Sequence, residues 1–206
     1  YNDIPNKLES GGDTYWEQGL IIGVGSGVAP VESTGGKSRI QARRAAIIDS
    51  QRQLLETIRG VHIDSETTVR NLELNSEEVK TILHGFLKGF QILNESYKEV
   101  DRIYTVVVGV HLYGEYGLQP IVRPILNSTQ KQTSSQVTTD LNPKKEYYSS
   151  LILDAKGLKI PKVLFPTISS VTGKVIYSTE TIPSTLMSQR GFVEYSDSLT
   201  AALSNS

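Results

Sequence analysis

The sequence predicts an α+β protein: two helices packed on one face of a mostly antiparallel sheet, followed by a smaller β-rich unit. Three observations lead there. Patterned segments follow one another as strand, helix, strand, helix and hairpin, joined by short links. Residues 127–140 are nearly all Ser, Thr, Gln, Asn and Lys, with too little apolar surface to offset the entropy of ordering them. Beyond them, Gly157, Pro161, Pro166 and Gly173 punctuate a β-prone stretch. These divide the chain into a loose leader at 1–14, an α+β domain at 15–124, a polar linker or mobile loop at 125–146, and a β-rich unit at 147–206.

The leader is polar and holds Pro5 and the pair Gly11, Gly12. Leu20, Ile21, Ile22 and Val24 read as a short buried strand entering a loop over 25–36, broken by glycines and Pro30. At 37–59 comes the strongest helical signal. Ile40, Ile47, Ile48, Leu54, Leu55 and Ile58 share one stripe at helical spacing, and Gly60 supplies a stop. Val61, Ile63, Thr67 and Val69 then alternate with polar residues, as in a strand with one wet face. A second helix starts at Asn75 or Ser76, with Glu78 placed for a capping box from Asn75. Its buried stripe is Val79, Ile82, Leu83, Phe86 and Leu87. Two strands at 90–97 and 103–113 close the domain, the second showing Tyr104, Val106, Val108, Val110 and Leu112 on one face. Residues 196–206 form a weak terminal helix or fray.

Composition narrows the function. Of 206 residues, 38% are hydrophobic and 21% charged, enough apolar surface for a packed core. A net charge of −1 argues against a phosphate-coating nucleic-acid binder. The chain has no cysteine, which excludes disulfides, thiolate metal sites and a cysteine nucleophile within it. No apolar run approaches the roughly 20 residues of a transmembrane helix. The first residue is Tyr1 rather than Met, so an upstream segment such as a removed signal peptide is expected.

The motifs with chemical content are incomplete. Gly36, Lys37 and Ser38 open the first helix after a strand, but the phosphate-binding loop needs a glycine where Val31 stands. Gly23, Gly25 and Gly27 miss the dinucleotide fingerprint by one position, and no helix begins there; a strand end closely packed against a neighbour explains them better. His62, His84 and His111 do not have metal-site spacing. No nucleophile-elbow glycine–serine motif occurs. The expectation is therefore a non-enzymatic chain with no catalytic residues, no metal and no cofactor. Arg44 and Gln51 fall close to the isoleucine stripe, where Arg44 either snorkels past the sheet edge or pairs with a carboxylate such as Asp64.

One helical feature points to an interaction. Ala42 and Ala46 lie about 110° to 170° round the first helix from the isoleucine stripe, and Ser50 and Gln53 extend that side. Since one face of a helix suffices to cover a sheet, Ala42, Ala46, Ser50 and Gln53 form a candidate interaction face. Its partner would be the β-rich unit, a second copy of the chain, or another protein. Alanine's helix propensity alone is the competing explanation.

The run ARRAAIIDSQRQLLETIRGVHIDSETTV at 42–69, with a short helix and a hairpin after it, resembles the Lpp-twenty lipoprotein family. The N-terminal domain of flagellar assembly protein T is similar. The resemblance spans about residues 18–113; Leu151, Asp154, Ala155, Gly157, Leu158, Pro166, Gly173 and Tyr177 resemble a unit that follows this domain in some envelope proteins. It implies an exported protein, periplasmic or outer-membrane associated, often lipid-anchored in the family and without established catalytic residues. A lipid-attachment cysteine is not in this chain, so membrane contact would run only through an anchor outside it, and the familiar pattern continues past Tyr195, as in a truncated fragment. The expected role is a structural or assembly module acting through protein–protein contacts, with other envelope proteins or by self-association, and with no nucleic acid. The alternatives are a periplasmic carrier of a small ligand or glycan, with a pocket lined by Trp16, Tyr104 or Tyr113, and a nucleotide-dependent enzyme.

Overall fold

The computed structural model describes residues 10–33, 35–130, 151–181 and 192–204. Four strands, β1 (Gly11–Tyr15), β2 (Leu20–Val28), β3 (Gln91–Lys98) and β4 (Ile103–His111), form one sheet in the order β1-β2-β4-β3. Every neighbouring pair is antiparallel. The helices are α1 (Gly35–Gly60), α2 (Val69–Asn75), α3 (Glu77–Leu87), α4 (Leu118–Gln130) and a short α5 (Leu199–Ser204). A small two-stranded sheet, β5 (Ile168–Ser169) with β6 (Val175–Tyr177), lies in the C-terminal part. The fold is α+β, with its helices and its main core on one side of an antiparallel sheet.

The alternation in β4 places Tyr104, Val106, Val108, Val110 and Leu112 in the core as expected. In α3, Val79 and Leu83 are buried and Phe86 and Leu87 pack at the core's edge. Its cap is Ser76, whose hydroxyl accepts the Val79 N–H at 3.4 Å; the capping box expected from Asn75 does not form, because Asn75 ends α2.

The expected stripe of the first helix is buried only in its second half, at Leu54 and Ile58, with Ile47 at the core's edge. The buried residues of the helix are Ser38, Ala42, Ala46, Ser50, Leu54 and Ile58, one every fourth position. Four residues turn a helix by about 400°, so this row drifts about 40° per step and crosses the strands obliquely. Ile40 and Ile48 are 55% and 68% exposed. The reason lies beneath the helix. Gly23, Gly25 and Gly27 line the β2 face that α1 covers, and a Cβ at each would strike α1 backbone at Ser50 and Leu54, at Ser50 and Ala46, and at Ala42 and Ala46. Helix and strand touch main chain to main chain, a distance only small side chains allow. The same glycines let β2 continue to Val28, past the point where a loop was expected to begin.

Three further expectations are corrected. The leader is not loose at its end: Gly11–Tyr15 pairs with β2 as an edge strand. Backbone pairing holds it, with no alternating apolar side chains to reveal it. Residues 61–70 do not make a strand. A single bridge, His62 to Thr68, closes a turn in which the Asp64 carboxylate accepts the N–H groups of Glu66 and Thr67. Thr68 then caps α2 in a reciprocal box with Asn71. Finally, α4 runs into the segment read as a linker, while residues 131–150 lie outside the described residues. Among the described residues, the smaller C-terminal unit carries the two-stranded sheet of β5 and β6. Its buried residues Leu164, Phe165 and Phe192 join the cluster that holds Ile21, Leu54 and Val106.

Candidate functional site

The candidate interaction face is mostly interior. Ala42, Ala46 and Ser50 are fully buried against β2, and the Ser50 hydroxyl donates to the Ile47 carbonyl at 2.8 Å. Gln53 is half-buried at the margin of that contact. Ala42, Ala46 and Ser50 are therefore not open to a partner. The sequence could have shown it, because Gly23, Gly25 and Gly27 are the matching small residues on the strand.

The loop before α1 has a polarity opposite to a phosphate cradle. The Arg102 guanidinium, reaching from the β3–β4 turn, donates to the carbonyls of Pro30 (2.6 Å), Val31 (3.2 Å) and Ser33 (2.5 Å) and to the Ser38 hydroxyl (2.9 Å). Carbonyl oxygens converge on a cation where a phosphate loop would present N–H groups. Arg102 itself sits at φ +56°, in the left-handed region, and its own carbonyl accepts the Ala29 N–H at 3.1 Å.

The remaining candidates are scattered. His62 lies in the turn before α2, His84 on α3 and His111 at the end of β4, the last two exposed. No group of three or more His, Asp or Glu among the described residues is arranged to hold a metal ion. The aromatics do not share a pocket. Tyr104 stacks on Tyr97 with ring centres 5.6 Å apart, at the opposite end of β4 from Tyr113. Trp16 meets Tyr195 edge to face at 5.2 Å, so the C-terminal segment fills the place beside it. Burial, with Tyr195 and Glu194 nearby, pushes the Tyr113 hydroxyl well above the ordinary tyrosine range.

The C-terminal segment is fastened by named bonds. Leu164 and Phe165 donate their N–H groups to the carbonyls of His62 (2.9 Å) and Ile63 (2.8 Å). Gln119, buried in α4, donates to the Leu164 carbonyl at 3.2 Å and accepts the Phe192 N–H at 3.1 Å. It thus joins two pieces of that segment to the helical layer. The Tyr195 hydroxyl exchanges hydrogen bonds of 2.8 Å with the Val163 N–H and carbonyl. In the last turn of α1, just before His62, Arg59 grips Glu73 through two bonds of 2.6 and 2.7 Å and also holds Glu56, which binds Arg70.

What remains open is surface. Gln51, Arg52 and Leu55 of α1 face Leu87 and Lys88 at the end of α3 across a groove of about 300 Å³. Ile48 and Arg44 continue the α1 wall as exposed residues. This settles the odd position of Arg44. The stripe it shares with Ile40 and Ile48 faces outward, and Arg44 neither snorkels past a sheet edge nor pairs with Asp64. No helix among the described residues is long and apolar enough to cross a membrane.

Fold and surface together define a small α+β module whose polar groups are engaged mainly in structural bonds. Residues 13–111 match the family model of the LPP20 lipoprotein, and residues 150–206 match that of the second domain of Treponema pallidum Tp0624. Over residues 13–111 the chain is thus similar to a lipoprotein family, a match that suggests an exported, envelope-associated protein. No curated protein and no solved structure matched the chain.

Proposed function

We propose that the chain is a non-catalytic assembly module of the cell envelope that works through protein–protein contacts. The observation that carries this reading is the groove between α1 and α3. Half-buried Leu55 and Leu87 line it, exposed Ile48 extends it, and Arg44, Arg52 and Lys88 rim it. An apolar floor with a charged rim is the composition of a protein docking surface. The nucleotide reading loses its ground because Arg102 and the carbonyls it binds occupy the loop. The ligand-carrier reading loses its own because Tyr195 fills the space beside Trp16.

A photoreactive residue placed at Ile48 tests the proposal in the cells that make the protein. Discrete protein adducts are expected from Ile48 and not from the exposed control position Ile176. The absence of adducts specific to Ile48 would overturn it.

A further inference from the structure

At one end of the sheet the β2–α1 loop and the β3–β4 turn are tied together by Arg102, through its bonds to Pro30, Val31 and Ser33. Ser33 tightens the loop further, its N–H and hydroxyl both donating to the Pro30 carbonyl at 3.1 and 2.9 Å. This braced tip displays two valines to solvent, Val31 at 87% and Val100 at 96% exposure. A lone exposed valine needs no explanation. Two on loops joined by three side-chain hydrogen bonds form a preorganised apolar knob, which loses little freedom when it docks. Around it stand the exposed carboxylates Glu32, Glu99 and Asp101, against Lys98 at the end of β3 and the Arg102 guanidinium, which is turned inward onto the loop carbonyls.

The α1–α3 groove is the complement of that knob. Its floor is apolar and its rim basic. Arg52 is partly neutralised by Asp49 at 2.7 Å, while Lys88 and Arg44 make no ion pair among the described residues. Knob and groove cannot meet within one molecule. The knob sits where α1 begins, and Gln51 to Leu55 lie about 25 Å further along the helix axis.

Resting on the reading of the groove as a docking surface, we infer that its occupant is a second copy of this chain. The valine tip of one copy, rimmed by Glu32, Glu99 and Asp101, seats against Leu55 and Leu87 of the next, rimmed by Arg52 and Lys88. The contact joins two different surfaces, so it is head-to-tail and propagates into a ring or an open row.

Sedimentation of the full chain over a concentration series tests this. Self-association that rises with concentration and weakens with added salt is expected. Val100→Glu and Lys88→Glu, both at exposed positions, should each weaken it about tenfold or more. Mixing two blocked variants supplies the distinguishing result. Val100→Glu keeps an intact groove and Leu87→Glu keeps an intact tip, so together they should form a one-to-one pair and go no further. Circular dichroism checks that Leu87→Glu is folded, and Lys88→Glu replaces it if it is not. A parent that stays monomeric throughout, association untouched by Val100→Glu, or a mixture that does not pair would overturn the inference. Adducts from Ile48 to other envelope proteins, with the chain monomeric, would leave the docking surface standing and remove only the second copy.

Discussion

A methyl group placed on Gly25 would lie 2.5 Å from the carbonyl oxygen of Ala46. Gly23 and Gly27 stand in the same relation to Ser50 and Ala42. A strand with glycine at every second position and a helix with a small residue at every fourth are thus the two halves of one contact. That contact decides which side of α1 faces the world. With the small residues turned inward, Ile40, Arg44 and Ile48 are left outside, next to the groove that α3 completes.

Gly25→Ala should therefore destabilise the protein by roughly 1–3 kcal/mol or more, because its neighbours are backbone atoms that cannot rotate away. Gly60→Ala is the matching control. Nothing lies within 4 Å of its Cβ position, so a neutral result or a gain of up to about 1 kcal/mol is expected. Urea midpoints of the two variants against the parent check both.

Much of the sheet was legible in the sequence. The alternation at Tyr104, Val106, Val108 and Val110 survives because β4 is central and one of its faces meets the helices. The helix over 77–87 was legible for a similar reason, an apolar stripe behind a serine cap. The face of α1 was misread in its first half, where Ile40 and Ile48 were taken as buried; Leu54 and Ile58 of the same stripe are in the core. Where main chain meets main chain, smallness selects the buried side instead. β1 gave no signal, since Gly11, Gly12, Asp13 and Thr14 are held by backbone bonds. The turn at 61–68 alternates like a strand although its polar side chains cap backbone N–H groups. The candidate site was the least legible part. Its valine tip and groove combine loops and helix ends far apart in sequence, with no shared motif.

Gln119→Leu should loosen the C-terminal segment. It leaves the Leu164 carbonyl and the Phe192 N–H without their partner, at a cost of about 1–3 kcal/mol. The expected signs are a lower melting temperature and faster protease cleavage within 151–204, with the sheet domain still folded. Cleavage at the parent's rate would show that Gln119 does not fasten the segment.

Acid should weaken the fold through two carboxylates. Arg59 holds Glu73 below the usual range against the effect of burial. Burial opposes the charge of Asp49, but Arg52 and the Ser26 N–H outweigh it and hold that carboxyl low as well. A depressed carboxyl stabilises the fold above the unfolded value of about 4, and the contribution is lost as pH falls through the lower folded value. The urea midpoint should drop between about pH 5 and pH 3, and Glu73→Gln should flatten that drop. An unchanged slope would exclude the Arg59–Glu73 pair as its source.

The orientation of α1 fixes which residues can meet a partner, and one paired measurement tests it most directly. Glutamate is placed in turn at Ala46 and at Ile48, two positions apart, and the urea midpoint is read at low protein concentration. Ala46→Glu buries an unpaired charge against β2 and should cost more than about 4 kcal/mol, enough to unfold a marginal domain. Ile48→Glu should stay within about 0.5 kcal/mol of the parent. The reverse order, a tolerated Ala46→Glu beside a ruinous Ile48→Glu, would contradict the fold of α1 on β2 and every surface assigned from it.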